Sequence, residues 1–497
     1  MSSASSNLTS AFIDLATYDE LEKYMYGGPR ATAYFVRRSR KASWFTQIPV
    51  VLSSATGSSN FGDQPSFQIS RAGDYMLQNW LRVTIPEVNW NPEDEGAPEN
   101  LRWTRNLMHN LVKSCTIVFN DLQEAKFESE HLDFLTAFTV PQSKRAGYNN
   151  MIGNVDVLIN PGVTFNNIGV GCQLPSMTLN LPLPLPHTRD SGVALPTAAL
   201  PYNEMRINFE FRRWDELLIA DVVDAGTGFL ESRAATVADL TPQVAPQLTN
   251  VQLWANYAVV SNNERKLMGS APRDLLIEQV QIAPAHAVSP SVSSSVSRDI
   301  RFSHACKSLF FGCKNTTCPA EHSNYTCASP VAADLGVAVP DVCNTLNFNP
   351  ALAVDPLNTT SLIYENTNRL ASMGSDYFSL IQPYYQCADV AIPEETGYHM
   401  YSYSLDMLSL DPQGSTNFGK LTNVTLSHTM SAAAVAANAP TAPATLLNTV
   451  TGILVREATD TFGASGAAKK QTFALVASVV NSNVVRISGG ALGFPVL

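Results

Sequence analysis

The clearest pattern in the chain is an alternation of apolar and polar residues after Glu204. The apolar positions are Met205, Ile207, Phe209 and Phe211, and the polar positions beside them are Arg206, Asn208, Glu210 and Arg212. A period of two is that of a strand with one buried face. The pattern therefore predicts a strand of a β-sandwich at Met205–Phe211.

Three prolines precede this strand in the run LPLPLP, at Pro182, Pro184 and Pro186. Proline has no backbone N–H, so alternate positions of the run cannot donate to a neighbouring strand. The run is therefore predicted to be an edge strand or an extended connection, and not a central strand or a helix.

Similar patterns recur along the chain between turn signals. In the first half, they predict two strands in Ser66–Pro86 broken at 72–74, and further strands at Val112–Phe119, Met177–Leu181 and Val251–Val260. In the second half, they predict strands in LLIEQVQIAPAH and SRDIRFSHACKSLFFGC, and at Ser361–Tyr364, Tyr377–Ile381, Gly397–Leu405, Leu421–Leu426 and Gln471–Ile487. The last of these is the most apolar and is expected to be central. The fold class predicted is all-β.

Some segments depart from the strand pattern. Glu130–Phe138 has helical spacing, whereas QSKRAGYNNMIGN is interpreted as turn-rich and SAAAVAANAPTAPATLLN as a loop. The segment SNNERKLMGSAPRD has the composition of a connection, with Gly269 and Pro272, so we place a boundary near Ala271. The chain is thus divided into an N-terminal arm (1–34), a first β domain (35–270) and a second (271–497).

The N-terminal segment carries a candidate helix. Thr17 and Glu20 have capping-box spacing before an apolar set, and a Gly-Gly-Pro sequence ends the pattern. The apolar set is Leu21, Tyr24 and Met25. Two interpretations stay open: a helix packed on its own domain, or an arm that reaches a neighbouring subunit, a minor protein or an inner membrane. A small basic cluster follows, at Arg37, Arg38, Arg40 and Lys41. It either faces solvent or docks an acidic neighbour or lipid headgroups.

Composition narrows the function classes. Of 497 residues only 15% are charged, and the formal net charge is −11. A negative surface repels phosphate backbones, so direct nucleic-acid binding is not expected. No apolar run reaches the ~18 residues of a membrane span, and no secretory signal is recognised, which predicts synthesis in a reducing cytosol. Low charge without a span indicates surface that is buried in an assembly.

Candidate chemistry is sparse. Five cysteines fall in one region beside His304 and His322, but their spacing contains no C-x2-C pair, so buried or loop thiols are favoured over a metal site. These cysteines are Cys306, Cys313, Cys318, Cys327 and Cys343. Late oxidation in a finished particle is an open alternative. We find no nucleotide or hydrolase motif, and the other histidines are scattered at His109, His131, His187, His286, His399 and His428. We therefore expect no enzyme activity and assign no catalytic, cofactor-binding or metal residue.

Long strings of the sequence resemble the iridovirus major capsid protein family almost from end to end. They include AFIDLATYDELEKYMYGG, SRAGDY, LRWTRNLMHN, KRAGYNNMIGN, RDSG, LPYNEMRI, RDLLIEQVQ, GSTNFGKLTN and GFPVL. The neighbourhood of Cys313 to Asn349 and the alanine-rich stretch after Met430 depart from the family pattern and resemble variable loops.

This resemblance implies a double jelly roll, that is, two consecutive eight-stranded antiparallel jelly rolls with short helices in the connections. It further implies homotrimers whose six jelly rolls form a pseudo-hexagonal capsomer, an icosahedral shell around an internal membrane and a DNA core, and minor capsid proteins bridging the inner face. Neighbouring capsomers would then be partners, and the chain would reside in the virion after assembly in the host cytoplasm.

A function of another class competes with this expectation. A virion-surface sandwich that binds a receptor or glycan would show clustered exposed aromatics and acidic metal ligands on one set of loops, which the sequence does not show. A compact trimer would favour the capsomer, and a monomer with sugar affinity would favour the binding module.

Overall fold

The computed structural model describes residues 2–37, 39, 41–52, 54–91, 98, 100–159, 172–223, 230–327, 355–387, 389–393, 395–438, 445–447, 454–457 and 471–493. Internal contacts divide the chain into two compact units, Met1–Trp44 and Phe45–Leu497.

The first unit contains two helices, α1 (Ser2–Ala16) and α2 (Glu20–Met25). Asp19 and Glu22 form the capping box of α2, because the Asp19 carboxylate and the Glu22 carboxylate each accept from backbone N–H groups of the first turn. The predicted pairing of Thr17 with Glu20 is therefore wrong. Thr17 instead donates its hydroxyl to the carbonyl of Asp14, 2.7 Å away, at the end of α1, a helix that the sequence analysis missed.

The second unit begins with fourteen described strands before residue 261. They are β1 (Phe45–Leu52), β2 (Ser54–Thr56), β3 (Ser66–Gln68), β4 (Tyr75–Ile85), β5 (Val88–Trp90), β6 (Asn100–Trp103), β7 (Val112–Phe119), β8 (Leu122–Glu128), β9 (Cys172–Leu174), β10 (Met177–Pro182), β11 (Met205–Phe211), β12 (Leu218–Val223), β13 (Leu230–Ala234) and β14 (Thr249–Val260).

The described strands of the second half are β15 (Arg273–Val288), β16 (Ser295–Asp299), β17 (Ala305–Asn315), β18 (Leu357–Tyr364), β19 (Thr367–Gly374), β20 (His399–Ser402), β21 (Thr416–Asn417), β22 (Val424–Met430), β23 (Thr445–Leu447), β24 (Leu454–Glu457), β25 (Phe473–Ser488) and β26 (Ala491–Gly493).

Short helices occupy the connections. The α-helices are α3 (Leu107–Leu111), α4 (Ser129–Thr139), α5 (Gln142–Ile152), α6 (Asp156–Ile159), α7 (Asn262–Ser270), α8 (Gln382–Tyr385) and α9 (Ala432–Asn438). The 3-10 turns are Pro186–Thr188, Ser191–Val193, Thr197–Ala199, Trp214–Glu216, Val237–Asp239 and Phe418–Lys420, and a π-helix spans Tyr377–Ile381.

Four sheets form two sandwiches. Sheet I has the strand order β1-β14-β4-β10 and sheet II the order β2-β3-β11-β7-β8; sheet III has the order β15-β25-β17-β20 and sheet IV the order β16-β22-β18-β19. In the first half, the chain passes back and forth between sheets I and II. In the second half, it passes between sheets III and IV in the same order. All the described pairings are antiparallel, so each half is a jelly roll, roll 1 and roll 2.

The alternating pattern at Met205–Phe211 is confirmed, because buried and half-buried residues alternate along all of β11. Ile207 is fully buried and Phe209 is 2% exposed, and both belong to the core shared by sheets I and II. The proline-bearing run is also where the sequence placed it, since β10 is the edge strand of sheet I. The prediction that the last strand is central is confirmed too, because β25 pairs with both β15 and β17.

Three further local predictions were wrong. Gln142–Ile152 is a helix and not a turn-rich loop, because Ile152 docks in the core while the polar residues face outward. Tyr377–Ile381 is a π-helix and not a strand, with Phe378 buried among the residues of roll 2. The alanine-rich segment begins with the helix Ala432–Asn438, anchored by the fully buried Ala434.

Candidate functional site

The two rolls are joined by a buried contact that helix α4 makes. Its first turn places Leu132 in the core of roll 1, while Phe134 and Phe138 face roll 2. On roll 2 they meet the outward-facing side chains of sheet III, including Phe310 and Val480. Phe138 is fully buried and stacks on Phe310 with ring centroids 5.9 Å apart. Helix α4 therefore covers the outer face of sheet III.

A buried carboxylate reinforces this contact. Asp133, 3% exposed, accepts hydrogen bonds from Ser323 at 2.6 Å and Tyr325 at 3.2 Å, both in the loop that follows β17. Its other oxygen lies 2.8 Å from Nδ1 of His109, which belongs to roll 1. A buried charge is stable only when it is paired and hydrogen-bonded, so these contacts fix the loop of roll 2 on roll 1.

A second ionic group lies nearby. Glu130 is 2.8 Å from Lys314 of roll 2 and 4.0 Å from Arg212 of roll 1. Burial opposes its ionisation, but the two cations outweigh burial and hold the pKa of Glu130 at about 2. Burial, together with the same two cations, lowers the pKa of His322 well below its ordinary value. The joint between the rolls thus combines ionic and hydrogen-bonded contacts with apolar packing.

The sequence predicted helix α4 but not its role. A signal was present, because apolar residues lie on two faces of this helix: Leu132 on one, and Phe134 and Phe138 on the other. Such a helix must be buried on both sides. The partners of Asp133 on roll 2, Ser323 and Tyr325, are about 190 residues away, and no local pattern identifies them.

The helical residues 375–385 of roll 2 present a different surface. Phe378 is buried, but Tyr384 and Tyr385 are 71% and 79% exposed and form an edge-to-face pair. Ile381 is also exposed. Aromatic residues of this exposure are enriched at protein–protein interfaces. We call the three side chains the tyrosine knob.

The outer face of sheet I is a second surface of low charge. Across it runs one register row, Val51, Trp254, Trp80 and Pro182, which we call the indole row. The two indoles stack with centroids 5.9 Å apart, and both are half-buried. Among the four strands of this sheet, Arg82 is the one charged residue. A solvated sheet face ordinarily carries many charges, so this face is typical of a contact surface.

The N-terminal unit has the same character. The apolar residues Leu8, Phe12 and Leu15 form one stripe of α1, and each is more than half exposed. The predicted apolar set of α2, Leu21, Tyr24 and Met25, is exposed as well. Among the described residues, no helix is long and apolar enough to cross a membrane. Of the predicted basic cluster, Arg37 and Lys41 are exposed, and Arg38 and Arg40 lie outside the described residues.

The clustered cysteines do not converge on one site. Cys306 and Cys313 lie on β17, and Cys318 and Cys327 lie in the loop after it, all four buried and unpaired; Cys343 lies outside the described residues. Burial raises the pKa of the Cys306 thiol to about 12 and that of Cys318 to about 11, so both are protonated at neutral pH. Within the described ranges, no group of three or more potential ligands could hold a metal ion.

Comparisons with known proteins agree with this architecture. A family model described as the large eukaryotic DNA virus major capsid protein matches residues 264–455, and one described as the major capsid protein N-terminus matches residues 33–260. The PBCV-1 virus capsid shares the fold, with a TM-score of 0.69 at 21% identity over 94% of this chain and 100% of that chain. The Faustovirus major capsid protein has a TM-score of 0.63 at 10% identity, over 95% of this chain and 94% of that chain.

Sequence relatives are much more similar. The major capsid protein of Costelytra zealandica iridescent virus is 52% identical over 100% of both chains, and that of Invertebrate iridescent virus 6 is 51% identical over 100% of both. The major capsid protein of Lymphocystis disease virus 1 is 46% identical over 99% of both. The identity extends over both jelly rolls and the joint between them, and the chain therefore belongs to the iridovirus major capsid proteins, the structural subunits of the viral capsid.

Proposed function

We propose that the chain trimerises into a pseudo-hexagonal capsomer and that these capsomers tile an icosahedral shell. The observation that carries this proposal is the joint made by helix α4. It holds two similar rolls side by side in one chain, so each copy would supply two of six similar units. A buried, hydrogen-bonded joint suits a repeating unit, because a lattice requires every copy to present the same geometry.

Low surface charge supports an assembled state. The indole row and the tyrosine knob are apolar surfaces on different halves of the sequence. In the single chain the two tyrosines are exposed, and the two indoles are half-buried. Contiguous exposed apolar patches often mark sites where another molecule binds. Neighbouring subunits, neighbouring capsomers and minor capsid proteins are the partners we propose, in a virion assembled in the host cytoplasm.

The boundaries 1–34, 35–270 and 271–497 are proposed as those of the arm and the two domains. The separation of sheets I and II from sheets III and IV supports the division near residue 270. No catalytic, cofactor or nucleic-acid role is part of this proposal.

The mass of the purified protein in solution tests whether the chain forms the proposed trimer. One chain has a mass of 53.9 kDa, and light scattering is expected to give three times that value. A stable monomer at high concentration would contradict the proposal.

We further propose that the N-terminal unit attaches the capsomer to its surroundings. Helix α2 has six residues and no buried side chain, and isolated helices of that length are not stable in water. The exposed apolar stripe of α1 and the basic residues after α2 suit a neighbouring protein or the surface of an inner membrane.

Deleting residues 1–26 is therefore expected to leave the trimer mass and melting temperature unchanged and to reduce incorporation into particles. Light scattering, calorimetry and particle yield measure the three quantities. If the truncated trimer melts earlier, the helices stabilise the rolls; if particles form at the normal yield, the unit has no role in attachment.

A further inference from the structure

The two rolls contain helices in equivalent places. Helix α4 follows β8, the edge strand of sheet II, and the helical residues 375–385 follow β19, the edge strand of sheet IV. Both segments have eleven residues. The fourth residue of each is a core residue of its own roll, Leu132 in one and Phe378 in the other. The rolls therefore repeat this helix as well as the order of their strands.

The equivalent outward positions differ in burial. The tenth residue of the first helix is Phe138, which is fully buried against roll 2. The tenth residue of the second helix is Tyr384, which is 71% exposed, and the adjacent Tyr385 is 79% exposed. The second helix thus has an outward-facing aromatic side chain, as α4 does, but no surface in the part of the chain that the structure describes covers it.

The surface that α4 covers also has an equivalent. On sheet III, the covered register row is Ile282, Ser478, Phe310 and Met400, from the strands β15, β25, β17 and β20. On sheet I, the corresponding strands β1, β14, β4 and β10 supply the indole row. Val51 of that row is 43% exposed, and the two indoles are half-buried.

We propose that the tyrosine knob of one copy packs on the indole row of a second copy, in the way that α4 packs on sheet III within one chain. This inference rests on the proposed capsomer and names its contact. Charge is also complementary, because Arg82 is the charged residue of sheet I and Asp376 is that of the helical residues 375–385. The contact joins two different surfaces, so it is heterologous and closes into a ring when repeated by a suitable rotation.

The first test changes each surface separately. The knob variant is Tyr384→Ser with Tyr385→Ser, and the row variant is Trp80→Thr with Trp254→Thr. Each is expected to weaken association at least about 30-fold, since buried aromatic anchors dominate interfaces. Light scattering should then report one chain where the unaltered protein gives three. The control is Val292→Ser, a change at a side chain that is 81% exposed and outside both surfaces, and it should keep the trimer.

Mixing the two variants gives a sharper result. The row variant retains its knob and the knob variant retains its row, so the mixture can make one intact contact per pair. It should yield a species of two chains and no ring. An isologous contact is distinguished by the unaltered protein itself, which would then give two chains and not three.

The outcomes separate this inference from the proposed trimer. If the unaltered chain is a trimer and both variants remain trimers, the contact is overturned and the trimer stands. If the variants become monomers but their mixture forms no dimer, the heterologous pairing is overturned. If the unaltered chain is a monomer, the capsomer proposal itself fails. Far-ultraviolet circular dichroism checks the fold, and a variant that unfolds is replaced by its single substitutions, Tyr384→Ser or Trp80→Thr.

Discussion

Phe209 and Asn208 are neighbours in sequence and lie on opposite faces of β11. Phe209 contacts Phe67 edge-to-face in the core, whereas the side chain of Asn208 is half-buried and accepts a hydrogen bond from Ser66 at 2.6 Å. The sequence predicted this difference because the alternation is local. The sequence could not predict the hydrogen bonds of Asp133, because its partners are brought together only by the packing of the two rolls.

Phe209→Asp is expected to abolish soluble folding, because it places an unpaired carboxylate in an apolar core. Asn208→Asp retains an acceptor for Ser66 and should be tolerated. The soluble fraction after expression measures both effects. Equal solubility of the two variants would mean that burial does not differ between these positions.

At the scale of elements, strands were more predictable than helices. The bounds of β7 and β11 agree with the sequence pattern because one face of each is buried and the other is not. The sequence pattern did not predict helix α5, because that helix buries Ile152 and little else. It did not predict the π-helix, because Tyr-Phe-Ser-Leu-Ile has strand-like composition. Pairing between distant elements, such as α4 with sheet III, has no signal within a short window.

Phe138→Ala tests how much helix α4 contributes to the free energy of unfolding. It leaves a cavity between the rolls, and the expected loss in the free energy of unfolding is about 3–5 kcal/mol. Met151→Ala on the next helix removes a side chain that is 37% exposed, and should cost less than about 1 kcal/mol. Denaturant unfolding of both variants gives the comparison. Similar losses would mean that α4 does not stabilise the joint.

The whole molecule contains several histidines buried in the neutral form. Burial lowers the pKa of His131, His187 and His428 to about 3, with nearby arginines adding to the effect at His131 and His428, and it lowers that of His322 strongly. Their pKa in the unfolded chain is about 6.5, so below that pH the unfolded state binds protons that the folded state does not. The stability that these histidines contribute is therefore complete above pH 6.5 and is lost as the pH falls.

Glu124 acts in the opposite direction, because burial raises its pKa to about 8 and the folded state keeps its proton. Near pH 5 the three histidines with a pKa of about 3 and Glu124 leave a net uptake of about two protons on unfolding, or about 3 kcal/mol per pH unit, and His322 adds to it in the same direction. Denaturant titrations between pH 7 and pH 5 should show this decrease. His131→Gln and His428→Gln should each reduce the net proton uptake on unfolding by about one, which lowers the slope of stability against pH. An unchanged slope would show that these side chains do not contribute to the pH dependence.

The central position of β25 also sets an order of events at the ribosome. Strand β15 ends at Val288 and pairs with β25, which begins at Phe473. At about 5–20 residues per second, roughly 185 intervening residues take about 10–40 s to be made. During that interval sheet III cannot close, whereas β14 has already completed sheet I. Phe134 and Phe138 therefore lack their partner surface on sheet III during that interval. Transiently exposed hydrophobic surface of this kind makes a nascent chain prone to aggregate.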